Sequence, residues 1–239
     1  MRFYYIRHGQ SINNALLDAT GGSDGRDEDP DLTEVGKQQA RLLADFIRAK
    51  DAEANGNEQA LKRDYFGFTH LYTSLMLRSV QTGIVISEAL KIPLNAWPEI
   101  HETGGIYFED PASGEFRGLP GRTRSFFQKN YQRLVLPESL NDEGWWNRPY
   151  ETDEERQPRA KKVLQILLER HGRTGDRVAI ISHGGFYMQL MREIFEVKEE
   201  KIWFSIFNTG VSRIDFSQDG SADLIYHNRT DHLPDRLIT

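Results

Sequence analysis

Hydrophobic positions fall into short apolar runs and longer stretches of helical spacing that alternate along the chain. The apolar runs predict strands at Arg2–Ile6, Phe68–Tyr72 and Val178–Ser182. Apolar residues three and four positions apart predict helices that begin at Thr33, cover Leu77–Leu90 and 154–171, and run from His183 to Phe195. Strands that alternate with helices predict an α/β fold, a three-layer α/β/α sandwich with a mostly parallel central sheet.

Three segments lack this periodicity or change it. Residues 18–31 are rich in Gly and Asp and predict a solvated loop, and a second polar stretch covers 51–64. Residues 104–152 are rich in Gly, Pro, Arg and aromatics, and core-forming elements continue after them. We therefore expect one domain over residues 1–239, with 104–152 as an inserted segment that forms a possible cap. The tail, 203–227, predicts two or three alternating strands with a turn at Gln218–Gly220.

The composition narrows the classes of function. With 38% hydrophobic and 28% charged residues the chain is typical of a soluble globular protein, and its net charge of -6 disfavours a nucleic-acid surface. There are no cysteines, which excludes disulfides, thiolate metal sites and a cysteine nucleophile and fits a reducing compartment. No stretch has the ~18 apolar residues of a membrane span, and charge comes too early for a secretory signal. We expect a cytoplasmic protein with no nucleic-acid or membrane partner; no protein partner is indicated.

Each of the three predicted strands is followed, directly or within a few residues, by charged or titratable side chains. They are Arg7 and His8, Arg78, and His183. Ligands of parallel sheets bind outside the carboxyl ends of the strands, so neighbouring strands would bring these side chains into one cleft. Two arginines and two histidines suit a phosphate dianion, and the helix beginning at His183-Gly184-Gly185 would add backbone N–H donors.

The motifs around these residues resemble those of one family. Arg7-His8-Gly9-Gln10-Ser11-x-x-Asn14, with Ser182-His183-Gly184-Gly185 far downstream, is similar to the histidine phosphatase superfamily, also called phosphoglycerate-mutase-like. Two further matches are Asp31-Leu32-Thr33-x-x-Gly36-x-x-Gln39-Ala40 and Thr73-Ser74-Leu75-x-x-Arg78-x-x-Gln81-Thr82, where the usual Pro of the family is Leu75. Together the motifs span residues 7–185 in the order of the family.

The resemblance implies a mechanism and a set of site residues. His8 would attack phosphorus and form a phosphohistidine, while Arg7, Arg78 and His183 would stabilise the phosphoryl oxygens. Asn14 and Gly184 would bind the same group. The general acid would be Glu102, which precedes Thr103-Gly104-Gly105; its rival Glu99 follows Pro98 and lacks the glycines. The resemblance implies a small phosphorylated substrate, no cofactor and no metal.

Several alternatives stay open at this point. His8 and His183 could instead bind a metal ion, but no third ligand stands at a recognisable spacing from them. The aspartates of 18–31 could bind calcium, but they lack the EF-hand spacing. His101 and His171 are expected to be structural or surface residues. The arginines of the inserted segment form either plain surface charge or a cap that binds a second anionic group of the substrate; they are Arg117, Arg122, Arg124 and Arg133.

The reaction also has alternatives. The resemblance implies a phosphatase rather than a phosphoglycerate mutase, because the Phe-Thr-Gly-Trp-like and Glu-Arg-His-Tyr-Gly stretches of the mutases are missing. Mutase-type phosphoryl transfer, or a catalytically weak phospho-ligand-binding regulatory protein, are the alternatives.

Overall fold

The strands of the fold are short, and three strands of the central sheet, Arg2–Arg7, Arg177–Ser182 and Val211–Phe216, are mostly buried. The computed structural model describes residues 1–54, 65–199 and 201–239. In chain order the described strands are β1 (Arg2–Arg7), β2 (His70–Thr73), β3 (Leu94–Ala96), β4 (Tyr107–Glu109), β5 (Phe116–Gly118), β6 (Leu134–Val135), β7 (Arg177–Ser182), β8 (Val211–Phe216) and β9 (Ala222–Arg229).

Helices connect most of these strands. In chain order the described helices are α1 (Ile12–Thr20), α2 (Glu34–Glu53), α3 (Leu77–Leu90), α4 (Arg124–Asn130), α5 (Asp153–His171) and α6 (Gly184–Ile194), with short 3₁₀ turns at Pro98–Ile100 and Asp235–Leu237. Among residues 1–54, 65–199 and 201–239, no helix is long and apolar enough to cross a membrane.

Seven strands form the central sheet, in the order β6-β3-β2-β7-β1-β8-β9. All neighbours from β6 to β1 pair in parallel, whereas β8 and β9 pair antiparallel at one edge. The mostly parallel sheet predicted from the sequence is therefore confirmed. Strand β7 lies between β1 and β2, so the carboxyl ends of these three strands meet at one edge.

Each face of the sheet carries its own hydrophobic core. Tyr4 and Ile6 of β1 pack with apolar residues of α2 and α3, whereas Phe3 and Tyr5 pack with those of α5 and α6. Successive side chains of a strand point to opposite faces, so a strand buried on both faces is apolar throughout. Helices on both faces give the predicted three layers.

Three features before the inserted segment differ from the sequence-based expectation. Helix α1 was not predicted, because none of its residues is buried; the capping box between Ser11 and Asn14 starts it, and it extends into the expected loop at 18–31. Asp29 and Pro30 of that loop are buried rather than solvated. Strand β3 was also missed, because three residues are too short for a recognisable pattern.

The inserted segment, 104–152, contains regular structure. Strands β4 and β5 form a separate two-stranded hairpin, α4 follows, and β6 pairs with β3 at the edge of the central sheet. The tail has two strands, β8 and β9, which begin only at Val211. Most of the polar stretch at 51–64 lies outside the described residues. The single domain with an inserted cap stays a prediction.

Candidate active site

Strand β1 delivers Arg7 and His8 to the carboxyl edge of the sheet. The backbone of His8 is fixed there, since its N–H donates to Ser182 O (2.9 Å) and its carbonyl accepts from Asn208 Nδ2 (2.9 Å). Directly after His8 the chain passes very close to the start of α2. A Cβ at Gly9 would lie 2.5 Å from Gly36 O, so both motifs need glycine where their backbones meet.

The imidazole of His8 is held in one tautomer. Its Nδ1 lies 2.7 Å from Gly9 O, which can only accept a hydrogen bond, so Nδ1 carries the proton. Its Nε2 accepts from Arg78 Nε at 3.1 Å and therefore has the lone pair. Burial, and then the charges of Arg78 and Arg7, hold the pKa of His8 well below its ordinary value. His8 is thus neutral at pH 7, the state that a nucleophile requires.

His183 lies beside His8, with 5.0 Å between the ring centroids. Its Nε2 is within hydrogen-bonding distance of Ser74 Oγ (2.7 Å) and Ser79 Oγ (3.2 Å), whereas its Nδ1 is buried and has no hydrogen-bond partner among the described residues. Burial is the main reason that the pKa of His183 lies well below its ordinary value. When a serine hydroxyl donates to Nε2, the neutral ring presents an Nδ1–H donor that a bound anion would satisfy.

Two buried guanidinium groups complete the positive side of the cleft. Arg78 lies in the first turn of α3 and is 9% exposed. Arg7 donates from Nη1 to Ile206 O (2.7 Å), while its Nε is buried and has no acceptor in the described part of the chain. Burial lowers the pKa of both arginines, but an arginine remains charged at neutral pH. The site therefore holds two positive charges and unsatisfied donors, the requirements of a phosphoryl group.

Asp29 supports Arg78 from the loop before α2. Its Oδ1 accepts from the N–H of Leu77 (2.9 Å), which satisfies a free donor at the start of α3, where Met76 provides no side-chain cap. The second oxygen, Oδ2, is buried and receives no hydrogen bond from residues 1–54, 65–199 or 201–239. Burial raises the pKa of Asp29 to about 6, although the charge of Arg78 opposes that rise. No pattern in the sequence distinguished this aspartate from its exposed neighbours.

The carboxylate of Glu102 lies at the N-terminus of α6. Its oxygens accept from the backbone N–H groups of Gly185 (3.1 Å) and Phe186 (3.0 Å), and from that of Thr103 (2.8 Å). A Cβ at Gly185 would lie 2.4 Å from Glu102 Oε1, so glycine leaves room for the carboxylate. The sequence predicts that the backbone N–H groups at the start of α6 contribute to a phosphate site. Glu102 instead takes up two of its donors, because a carboxylate suits the positive end of the helix dipole.

A buried ion pair fixes the backbone around Glu102. Arg159 of α5 pairs with Glu151 of the inserted segment, and its Nη1 also donates to the carbonyls of Glu99 (2.9 Å) and His101 (3.1 Å). Glu151 in turn accepts from Gly104 N (3.3 Å). The rival Glu99 directs its carboxylate to Arg148 (3.8 Å), outside the cluster of His8, Arg78 and His183.

Asn14 and Gly184 lie next to this cluster. Asn14 Oδ1 accepts from the backbone N–H of Ser11 (3.1 Å) and from Asn208 Nδ2 (3.3 Å), so its own amide N–H groups remain available. Gly184 begins α6 beside Arg7, and an added Cβ would lie 3.6 Å from Arg7 Nε. The structure thus brings all the residues named for the site to one edge of the sheet.

Three further residues shape the site and were missed in the sequence. Ser74 lies within the Thr73–Thr82 motif, where the resemblance implies no role for it, and Ser79 lies one residue after Arg78. Asn208 contacts both His8 O and Asn14 from 194 or more positions away along the chain. Only the fold itself makes such contacts visible.

The outer part of the site combines the loop at 18–31 with the β4–β5 hairpin. Arg26 lies 4.1 Å above the ring of Tyr107 and donates to its carbonyl (3.3 Å). No carboxylate of the described residues pairs with Arg26. Its charge, after the larger effect of burial, lowers the pKa of Arg78. A cavity of about 340 Å³ lies between the two loops.

The four arginines of the inserted segment separate in the structure. Arg124 donates to Leu140 O (2.6 Å) and Pro137 O (2.5 Å) and is structural. Arg122 and Arg117 lie over Phe126 and Phe108, and Arg133 is exposed. Arg122 alone of these affects the pKa of Asp29. Arg117, Arg122 and Arg124 thus have separate partners in the structure.

The sequence of the chain matches the model of a known protein family over most of its length. The family model of the histidine phosphatase superfamily (branch 1) matches residues 3–229. A protein of Yersinia enterocolitica named probable phosphoglycerate mutase GpmB is 28% identical over 102 residues, which is 43% of this chain and 38% of that protein. The match thus covers well under half of the length of that relative.

Solved structures share the fold across nearly the whole chain. Phosphoserine phosphatase from Entamoeba histolytica, in complex with 3-phosphoglyceric acid, has a TM-score of 0.58 at 19% identity and covers 98% of this chain and 99% of its own. Alpha-ribazole phosphatase from Shigella flexneri has a TM-score of 0.61 at 20% identity, with 96% and 97% covered. A mycobacterial glucosyl-3-phosphoglycerate phosphatase has a TM-score of 0.57 at 14% identity, with 95% and 98% covered.

Proposed function

The chain belongs to the histidine phosphatase superfamily, and from this membership we propose that it hydrolyses phosphomonoesters through a phosphohistidine formed on His8. The observation that carries the proposal is the state of His8. Its imidazole is neutral, its Nδ1–H is committed to Gly9 O, and its Nε2 lone pair points to the positive side of the cleft. The neighbouring solved structures are named as phosphatases.

In the first step the Nε2 lone pair of His8 attacks phosphorus, and the P–O bond to the leaving alcohol breaks. Arg7, Arg78 and the Nδ1–H of His183 bind the three equatorial oxygens, where charge is held in the transition state. Asn14 and Gly184 contribute further donors. Glu102, as the general acid, transfers a proton to the leaving oxygen.

In the second step water attacks the phosphohistidine. The carboxylate of Glu102 takes the proton of the attacking water, the P–N bond breaks, and inorganic phosphate and neutral His8 are restored. The two arginines supply the positive charge for both steps, so the proposed mechanism includes no metal ion or other cofactor.

The proposed substrate is a small phosphomonoester. The part of the substrate beyond the phosphate would bind at the cavity beside Arg26 and Tyr107. Arg26 is the one basic residue of its described lining, which also contains Asp24, Glu28, Glu109 and Asp110, and it would bind a second anionic group because no carboxylate of the described residues forms a salt bridge with it. The net charge of -6 and the absence of cysteines support a cytoplasmic enzyme that binds neither nucleic acid nor membrane.

Mutase-type transfer is the second candidate, favoured by the name of the Yersinia relative. A mutase returns the phosphoryl group from His8 to an acceptor alcohol and must exclude water until then. The two reactions differ in one measurable product: a phosphatase releases inorganic phosphate in proportion to substrate consumed, whereas a mutase converts a phosphoglycerate to its isomer.

The central experiment combines turnover with trapping. The protein should hydrolyse an aryl phosphate in the presence of EDTA, and a rapid quench should trap acid-labile phosphate on the wild type but not on His8→Ala, whose rate should fall by at least about 10⁴-fold. His227→Gln, at a histidine on the outer strand β9, is the matched control and should keep its activity. Full activity of His8→Ala would disprove the mechanism, and loss of activity in EDTA would indicate a metal enzyme. Vanadate binding without any turnover would support the phospho-ligand-binding alternative.

A further inference from the structure

Two histidines and an aspartate meet at the edge of the sheet opposite His8. They are His70, the first residue of β2; His171, the last residue of α5; and Asp176, which directly precedes β7. Their potential ligand atoms all lie within 4.8 Å of one another. Asp176 Oδ2 is 2.8 Å from His171 Nδ1 and 4.0 Å from His70 Nδ1. We propose that these three side chains form a binding site for a divalent transition-metal ion, Zn²⁺ in the first place.

The donor set suits zinc. Two imidazole nitrogens and one carboxylate oxygen are ligands that Zn²⁺ binds at about 2.0–2.2 Å, in tetrahedral geometry. Ligand atoms around such an ion are about 3.3 Å apart, a spacing that follows from those bond lengths. The distances from Asp176 Oδ2 to His171 Nδ1 (2.8 Å) and to His70 Nδ1 (4.0 Å) lie on either side of this value. Small side-chain rotations would therefore bring both histidines into position. Water would fill the fourth position.

The hydrogen bonds around the histidines permit both Nδ1 atoms to become ligands. His171 Nε2 lies 3.0 Å from the hydroxyl of Tyr72, which can donate or accept. Metal binding at Nδ1 moves the proton of His171 to Nε2, and the tyrosine then accepts it, as the second partner of a metal-bound histidine usually does. His70 Nδ1 contacts Thr69 Oγ1 (2.9 Å), whose hydroxyl is also 3.2 Å from Arg177 O and can donate there instead.

An ion can reach this site without entering the catalytic cleft. The side chain of His70 is 39% exposed and that of Asp176 is 27% exposed, so the cluster opens to solvent. Strand β7 joins Asp176 to His183, and its six residues span about 17–20 Å. The site is thus separate from His8 and Arg78, and the ion would act as a clamp that ties the end of α5 to the starts of β2 and β7.

The sequence predicts no metal site, because no third ligand stands at a recognisable spacing from His8 and His183. Here the ligands come from three elements, and about a hundred positions separate His70 from the other two. His171, expected to be a structural residue, becomes part of a site through this tertiary contact.

The test is metal binding by the EDTA-treated and desalted protein. Zn²⁺ titrated by calorimetry should bind with a stoichiometry of one, and Co²⁺ at the same site should show the visible absorption of a tetrahedral nitrogen–oxygen complex. His70→Ala removes an exposed ligand with little risk to the fold and should weaken Zn²⁺ binding at least 10-fold, as should Asp176→Asn. Zn²⁺ should raise the melting temperature of the wild type but not that of His70→Ala.

The outcomes separate this site from the catalytic one. His8→Ala should bind Zn²⁺ as tightly as the wild type. Loss of binding in His8→Ala with full binding in His70→Ala would place the metal in the catalytic cleft and overturn the proposal. Wild-type binding weaker than about millimolar, or equal binding by His70→Ala and wild type, would also overturn it.

Discussion

Arg78 Nε donates a hydrogen bond to His8 Nε2 over 3.1 Å. The guanidinium group thus covers the lone pair with which His8 would attack phosphorus. A substrate has to take this place, and its phosphoryl oxygens then become the acceptors of the displaced N–H groups. Arg78 therefore has two proposed roles, one toward the free nucleophile and one toward the transition state.

The first prediction concerns both roles of Arg78. Arg78→Ala should lower kcat/KM by about 10²–10³-fold, because the developing charge on the phosphoryl oxygens loses a buried cationic donor. The charge of Arg78 helps to lower the pKa of His8, so its removal should raise that pKa and move the acid limb of the kcat/KM profile to higher pH. Arg78→Lys keeps the charge and should move the limb less. An acid limb unchanged in Arg78→Ala would contradict the proposed coupling.

The second prediction assigns the general acid. Glu102→Gln keeps hydrogen-bond acceptance at the start of α6 through its amide oxygen but cannot donate a carboxyl proton. The hydrolysis of alkyl phosphates, whose leaving oxygen needs the proton, should slow by about 10²–10⁴-fold. The hydrolysis of aryl phosphates with good leaving groups should slow much less. The matched control is Glu99→Gln, since Glu99 pairs with Arg148 instead. Equal slowing of both substrate classes by Glu102→Gln, or a larger effect of Glu99→Gln, would argue against Glu102.

The sequence predicted the residues at strand ends well for a physical reason. Strands β1 and β7 are buried on both faces and appear as continuous apolar runs, so the charged residues after them mark the carboxyl edge of the sheet. Helix α1 was missed because it has no buried face to produce a periodic pattern. The partners of His183 and the contact of Asn208 with His8 depend on distant segments, which local spacing does not reveal.

The third prediction concerns the buried carboxyl of Asp29 and the stability of the fold. Its pKa is raised from 3.8 to about 6, so the folded protein holds this proton more tightly than the unfolded chain. The stabilisation is complete below pH 3.8 and is lost as the pH rises through 6, by up to about 3 kcal/mol. Asp29→Asn keeps an acceptor for Leu77 N and does not titrate.

Urea unfolding at pH 4 to 7 measures this effect. The free energy of unfolding of Asp29→Asn, relative to the wild type, should rise steadily over that range. Asp45→Asn, at an exposed position of α2, is the control for the loss of one carboxylate at the surface. A pH-independent difference for Asp29→Asn would mean that the carboxyl does not titrate near pH 6 in the folded protein.

The last prediction tests how the substrate is selected. Arg26 lies on the Tyr107 ring without an acidic partner in the described part of the chain, and its charge is felt by Arg78. Arg26→Gln should therefore raise KM for phosphomonoesters with a second anionic group, such as a carboxylate, by about 10-fold or more, because one charge-assisted contact is worth about 1.5–3 kcal/mol. An aryl phosphate without such a group should be turned over with an almost unchanged KM. Arg133→Gln removes an exposed charge of the inserted segment and should alter neither substrate. If KM rises equally for both substrates in Arg26→Gln, the arginine supports the common phosphoryl site; if KM rises for neither, the selecting contact lies at another residue.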